Sequence, residues 1–148
     1  MKCVNGERET DYNIYRTQEK TVCGGKRGNM AFVEICIYQV KPQKVEEFEA
    51  LMREAKSLLE KQEGLLLIRF VRRGYHIDME QIREGLPPLK ITRVVKSVKY
   101  MLYQEFDTKE NYGAAEKALY ESCWKAVDRC LVVPHDKYLG EEVDREMA

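Results

Sequence analysis

The chain has 148 residues, 44% of them hydrophobic, and its 25 Lys and Arg balance its 25 Asp and Glu. That length suits one domain with one core and is short for two. Formal neutrality gives no bulk support for a nucleic-acid or membrane-surface partner.

The five cysteines, Cys3, Cys23, Cys36, Cys123 and Cys130, are odd in number and contain no C-x-x-C pair. That usage argues against a disulfide framework, a zinc ribbon or a thioredoxin motif, and for reduced thiols in a cytoplasmic protein. No apolar run approaches the ~20 residues that span a bilayer, and the first residues are too polar for a signal peptide.

Residues 1–29 hold few aliphatics and many charges, and are expected to form a flexible N-terminal arm. Their glycines do not match a phosphate loop, and no strand precedes them. Met30 stands just before the first strong strand, after a Gly-Gly-Lys-Arg-Gly-Asn run that purine-rich, ribosome-site-like DNA would encode. Met30 is therefore expected to be the natural start; mass spectrometry of the native protein checks this, and a mature chain beginning at Met1 contradicts it.

From residue 30 to 148 one domain is expected. Ala31 to Val40 is β-branched and aromatic, a strand signal. Val33, Ile35 and Ile37 share an apolar face that should meet helices, and Glu34, Cys36 and Tyr38 share a mixed one. After Pro42, Val45, Phe48, Met52, Ala55 and Leu59 recur at helical spacing, and Gly64 ends that helix. Leu65 to Arg72 forms a second strand, with Leu66, Ile68 and Phe70 on one face and Leu65, Leu67, Arg69 and Val71 on the other.

Residues 73–95 read as an insertion. Asp78 and Gln81 fit a capping box for a short helix stopped by Gly85, and Leu89 to Ser97 has extended character. Val98 to Phe106 is a third strand, with Tyr100, Leu102, Gln104 and Phe106 opposite Lys99, Met101, Tyr103 and Glu105. Asp107 or Thr108 caps a second long helix, with Glu110 placed for a capping box to Asp107. Tyr112, Ala115, Leu119, Ser122 and Ala126 line one stripe of it; Tyr120, Trp124, Val127 and Leu131 line the next. A closing edge strand is expected within Leu131 to Leu139, interrupted by Pro134.

The order β-α-β, insertion, β-α-β predicts an α+β fold, the ferredoxin-like split βαβ with an antiparallel sheet and both helices on one side. The other sheet face, expected to carry Tyr38, Leu67, Met101 and Tyr103, has no third helix to cover it. A second copy packed face to face would bury it, giving a homodimer in the form of a dimeric α/β barrel.

Three runs, Val40 to Ala55, Glu63 to Arg73 and Lys99 to Ala118, resemble the antibiotic-biosynthesis monooxygenase superfamily. Lys41-Pro42-Gln43-Lys44, Glu63-Gly64 and Phe106-Asp107 stand at its characteristic turns, and the likeness covers about residues 31–125. The resemblance implies homodimers with a cavity between sheet and helices, and in some members cofactor-independent oxygenation of quinols or polyketide aromatics. Phe106 stands where Trp is usual. Ile35, Phe106 and the neighbourhood of Trp124 replace the residues of the heme-degrading branch, which disfavours that chemistry. The insertion is a third departure.

The two histidines are His76 and His135. Either imidazole can serve as a base near neutral pH, or make a local loop hydrogen bond. The candidate catalytic groups are His76 and Tyr103, and the candidate ligand pocket is Tyr38, Arg69 and Trp124; Tyr and Arg equally suit a dimer interface. No metal site and no cofactor are expected. The function so read is a small-molecule enzyme acting on an aromatic or quinone-type substrate, or else a non-catalytic ligand-binding or interaction dimer.

Overall fold

The computed structural model describes residues 30–143; the expected arm, 1–29, lies outside the described residues. Strand β1 (Phe32–Val40) ends at Lys41, and a 3-10 turn over Pro42–Lys44 feeds helix α1 (Val45–Glu60). The helical spacing is realised: Phe48, Met52, Ala55 and Leu59 are all buried. Gly64 has φ +83° and turns the chain into β2 (Leu65–Arg72). A Cβ there would run into the Asp107 carboxylate and the Asn111 amide, so glycine is required on both conformational and steric grounds.

β3 (Tyr75–His76), helix α2 (Met79–Glu84) and β4 (Leu89–Lys90) make up the insertion. The capping box forms in full: Asp78 accepts from the Gln81 backbone N–H, and the Gln81 side chain accepts from that of Asp78. Gly85, at φ +69°, closes the helix in the left-handed region. The extended character expected over Leu89 to Ser97 is confined to the β3–β4 pair.

β5 (Val98–Phe106), α3 (Lys109–Cys130) and β6 (Asp136–Glu141) complete the chain. The four long strands lie in the order β2-β5-β1-β6, all antiparallel, as the ferredoxin-like α+β fold requires. The expected edge strand is the edge, but it begins at Asp136, so Pro134 precedes the ladder and removes no hydrogen bond from it. Thr108, not Asp107, caps α3 by accepting from the Asn111 N–H; Asp107 instead accepts from the Asn111 side chain.

The faces of β1 are the reverse of the expectation. Glu34, Cys36, Tyr38 and Val40 are buried under the helices, opposite Gln104, Leu102, Tyr100 and Val98. Val33, Ile35 and Ile37 lie on the uncovered side, half-buried. Tyr38 therefore does not belong to that open face. The reason is chemical: the Glu34 carboxylate is satisfied inside by Lys137 and Tyr112, so its polarity does not mark a wet surface. On α3 the buried stripe runs through Tyr112, Ala115, Val127 and Cys130, with Leu119 and Cys123 beside it, while Ser122 and Tyr120 face solvent. Both thiols donate to the carbonyl four residues back, to Leu119 and Ala126, which lets cysteine pack as an apolar residue. Among the described residues no helix is long and apolar enough to cross a membrane.

Candidate functional site

Between the sheet and the two long helices lies a cavity of about 270 Å3. Tyr38 of β1 forms its floor, Met52 and Ala55 of α1 one wall, and Leu119, Cys123 and Trp124 of α3 the other. His135, just before β6, closes it. The imidazole stands edge-on to Trp124, with centroids 4.6 Å apart and planes at 80°, and 5.8 Å from the Tyr38 ring. Its Nδ1 is buried without a hydrogen-bond partner. Burial, then the nearby Lys137 charge, push the His135 pKa below its usual value, which favours the neutral ring. A neutral imidazole has one acceptor nitrogen, and the tautomer that leaves it at Nδ1 can take a proton there.

One end of the cavity is polar, formed by Glu116 and Lys137. Lys137 Nζ lies 2.6 Å from Glu116 Oε2 and 2.9 Å from Glu34 Oε1. Glu34 also accepts from Tyr112 Oη at 3.0 Å and from Gln104 Nε2. Glu34 is 1% exposed and Gln104 fully buried, so this network is part of the core. Burial, then repulsion from Glu34, raises the Glu116 pKa. Burial opposes the Lys137 charge, but the Glu116 hydrogen bond and both carboxylates outweigh it and raise its pKa. One ammonium answers two carboxylates, so the polar end has no spare positive charge. Among the described residues no three His, Cys, Asp or Glu side chains gather as metal ligands would.

The cavity brings together Tyr38 and Trp124 of the candidate pocket. Arg69 is not with them: it pairs with Tyr103 across β2 and β5 on the open face, where Tyr103 Oη donates to Glu105 at 2.7 Å. His76 is exposed in the β3–β4 pair, against Ile91, Thr92 and Arg93. Sequence reasoning weighed His135 but left it out of the site, and it missed Glu34, Glu116 and Lys137. The available signals were the buried-strand position of Glu34 and the alternation that sets Lys137 apart from Asp136 and Tyr138.

No family profile matches the sequence, and no curated protein does. Solved structures do match. SnoaB, a cofactor-independent oxygenase from Streptomyces nogalater, superposes with a TM-score of 0.56 at 10% identity, over 78% of this chain and 95% of that one. An antibiotic biosynthesis monooxygenase superposes with a TM-score of 0.55 at 10% identity, over 76% and 99% of the two chains. The fold is that of the antibiotic biosynthesis monooxygenases. A dimeric ferredoxin-like protein from an uncultured marine organism shares it, with a TM-score of 0.52 at 14% identity over 82% and 95% of the two chains. At these identities the likeness concerns the fold alone.

Proposed function

We propose that this protein is a cytoplasmic, cofactor-independent monooxygenase-like enzyme that takes a flat, uncharged aromatic or quinol-type substrate into the cavity. The observation that carries the proposal is the His135 ring, which lines the cavity against Tyr38 and Trp124 and has a nitrogen without a hydrogen-bond partner. Such a ring slot accepts an aromatic body, and the free imidazole can draw a proton from an acidic phenol or activated CH2 group. The resulting electron-rich substrate would supply the electrons itself: dioxygen leaves one atom as a carbonyl on the substrate and the other as water. The charge-saturated polar end favours a neutral hydrogen-bonding group over a carboxylate or phosphate.

Trp124 is the single tryptophan, so its fluorescence reports cavity occupancy without interference. Anthrone- and hydroquinone-type compounds should quench it and drive oxygen uptake. His135→Gln should lower turnover by roughly 100-fold or more while leaving quenching nearly intact, since general-base catalysis contributes about 10²–10⁴-fold. Quenching without oxygen uptake by any compound would support a ligand-binding protein instead. Loss of turnover in His76→Ala or Tyr103→Phe, with His135→Gln unaffected, would move the chemistry to the insertion or the open face, where the sequence-based candidates lie.

The active form in this proposal is a homodimer closed through the open sheet face. Val33, Ile35, Ile37 and Met101 place apolar side chains there, with Tyr103 and Arg69 beside them. The dimeric ferredoxin-like neighbour supports a dimer. Ile37→Asp should convert the dimer to a monomer in light scattering at micromolar concentration, since two carboxylates would be buried at the centre of the interface. A variant that stays dimeric rules this face out.

A further inference from the structure

Formal neutrality conceals an uneven surface. On the far side of the β2–β5 pair from Phe106, a groove of about 650 Å3 is lined by Arg72, Arg73, Lys90, Arg93, Lys96 and Lys99 and, among the described residues, by no carboxylate. Among the described residues only Arg72 of these six has an ion-pair partner, Glu49 at 3.1 Å. Elsewhere the chain pairs its charges readily, as Lys44 with Glu47 and Lys56 with Glu60. Five unanswered cations around one concavity repel one another, and an anion placed among them relieves that repulsion.

Two backbone hydrogen bonds fix part of the groove. Arg73 N–H donates to the Lys99 carbonyl at 2.9 Å and Ile91 N–H to the Gly74 carbonyl at 2.8 Å, tying its walls together. Val45, Ile91, Val95 and Val98 contribute aliphatic surface within the ring of cations. Among the described residues no aromatic side chain lines it, and so none offers the stacking platform that single-stranded nucleic acid uses. Its size suits one small molecule.

The geometry points to a second binding site, separate from the cavity, for a small molecule with a dianionic phosphate head and a short aliphatic body. Lys96, Arg93 and Arg73 hold the head, and the valines take the chain. The site owes nothing to the cavity: the two share no lining residue.

Titration calorimetry with hexyl phosphate tests it, with hexanol and inorganic phosphate as comparison ligands. One hexyl phosphate should bind per chain, more tightly than inorganic phosphate and with affinity falling as salt rises, while hexanol should not bind. The triple variant Arg73→Gln, Arg93→Gln, Lys96→Gln should weaken binding about tenfold or more. Its thermal midpoint and its Trp124 fluorescence should match the parent, which excludes a folding defect. Unchanged affinity in that variant, or equal binding of hexanol, overturns the proposal. Co-sedimentation with phosphatidic acid vesicles without binding of free hexyl phosphate also overturns it, assigning the cations to a lipid surface, and tight binding only by an RNA oligonucleotide does so in favour of nucleic acid.

Discussion

Lys137→Met is expected to lower the unfolding free energy by about 2–4 kcal/mol at neutral pH. Removing one partner of a buried ion pair costs roughly 3–5 kcal/mol, because the other charge stays inside without an answer. Here two carboxylates are left, Glu34 at 1% side-chain exposure and Glu116 at 21%, but Lys137 itself is 31% exposed, so solvent softens the loss. The effect should depend on pH. Glu116 already has a raised pKa in the folded chain, and losing the ammonium raises it further. A carboxyl whose folded pKa exceeds its unfolded value favours folding while it is protonated. That contribution is complete below the ordinary carboxyl range near ~4.3 and disappears as pH rises through the folded value. The deficit of the variant should therefore shrink on acidification. Urea denaturation at pH 7 and at about pH 4, below the ordinary carboxyl range, checks this; an equal deficit at both would mean that Lys137 acts by packing rather than charge. Lys137→Arg should retain most of the stability.

Phe48→Ala is expected to cost about 3–5 kcal/mol, the usual range for deleting a fully buried aromatic ring. Phe48 is completely buried, with ring centroids 4.9 Å from Tyr100, 5.3 Å from Tyr38 and 5.9 Å from Phe70. It is the residue through which α1 grips the sheet, and it backs the Tyr38 floor of the cavity. A thermal midpoint lowered by roughly 10–20 °C should accompany the loss, together with weaker quenching of Trp124 by aromatic ligands. Phe48→Leu, which leaves a smaller void, should show a markedly smaller effect on both. Quenching unchanged in Phe48→Ala would show that Tyr38 holds its position without support.

Features encoded by neighbours in the chain were the legible ones. The α1 stripe, the Asp78–Gln81 capping box and the turn at Gly64 depend on spacing within about twenty residues or on turn chemistry, and the structure follows them. The faces of β1 were not legible, because whether Glu34 points in or out depends on Lys137, which meets it only after β6 returns along β1. His135 has the same cause: its ring reaches Trp124 and Tyr38 through that return. The stripe of α3 was misjudged because Ser122 and Cys123 are both small, and the choice between them is made by the helix packed opposite. Tyr38 and Trp124, singled out for their aromatic character, both line the cavity, although the sequence pattern puts Tyr38 on the wrong side of the sheet.

The way the 73–95 segment joins the domain has a bearing on how such chains diversify. The β2–β5 ladder runs on until Arg72 faces Tyr100, and Arg73 still bonds to Lys99. The chain thus leaves and re-enters the sheet at adjacent points, and the excursion carries its own small ladder and its own capped helix. Nothing in the cavity wall comes from it. The tip of that hairpin is a natural graft point: a tight two-residue turn could close the strands, or a foreign segment could be spliced in, with the core left undisturbed. Exchanging that appendage would change much of the lining of the basic groove and leave the lining of the cavity as it is.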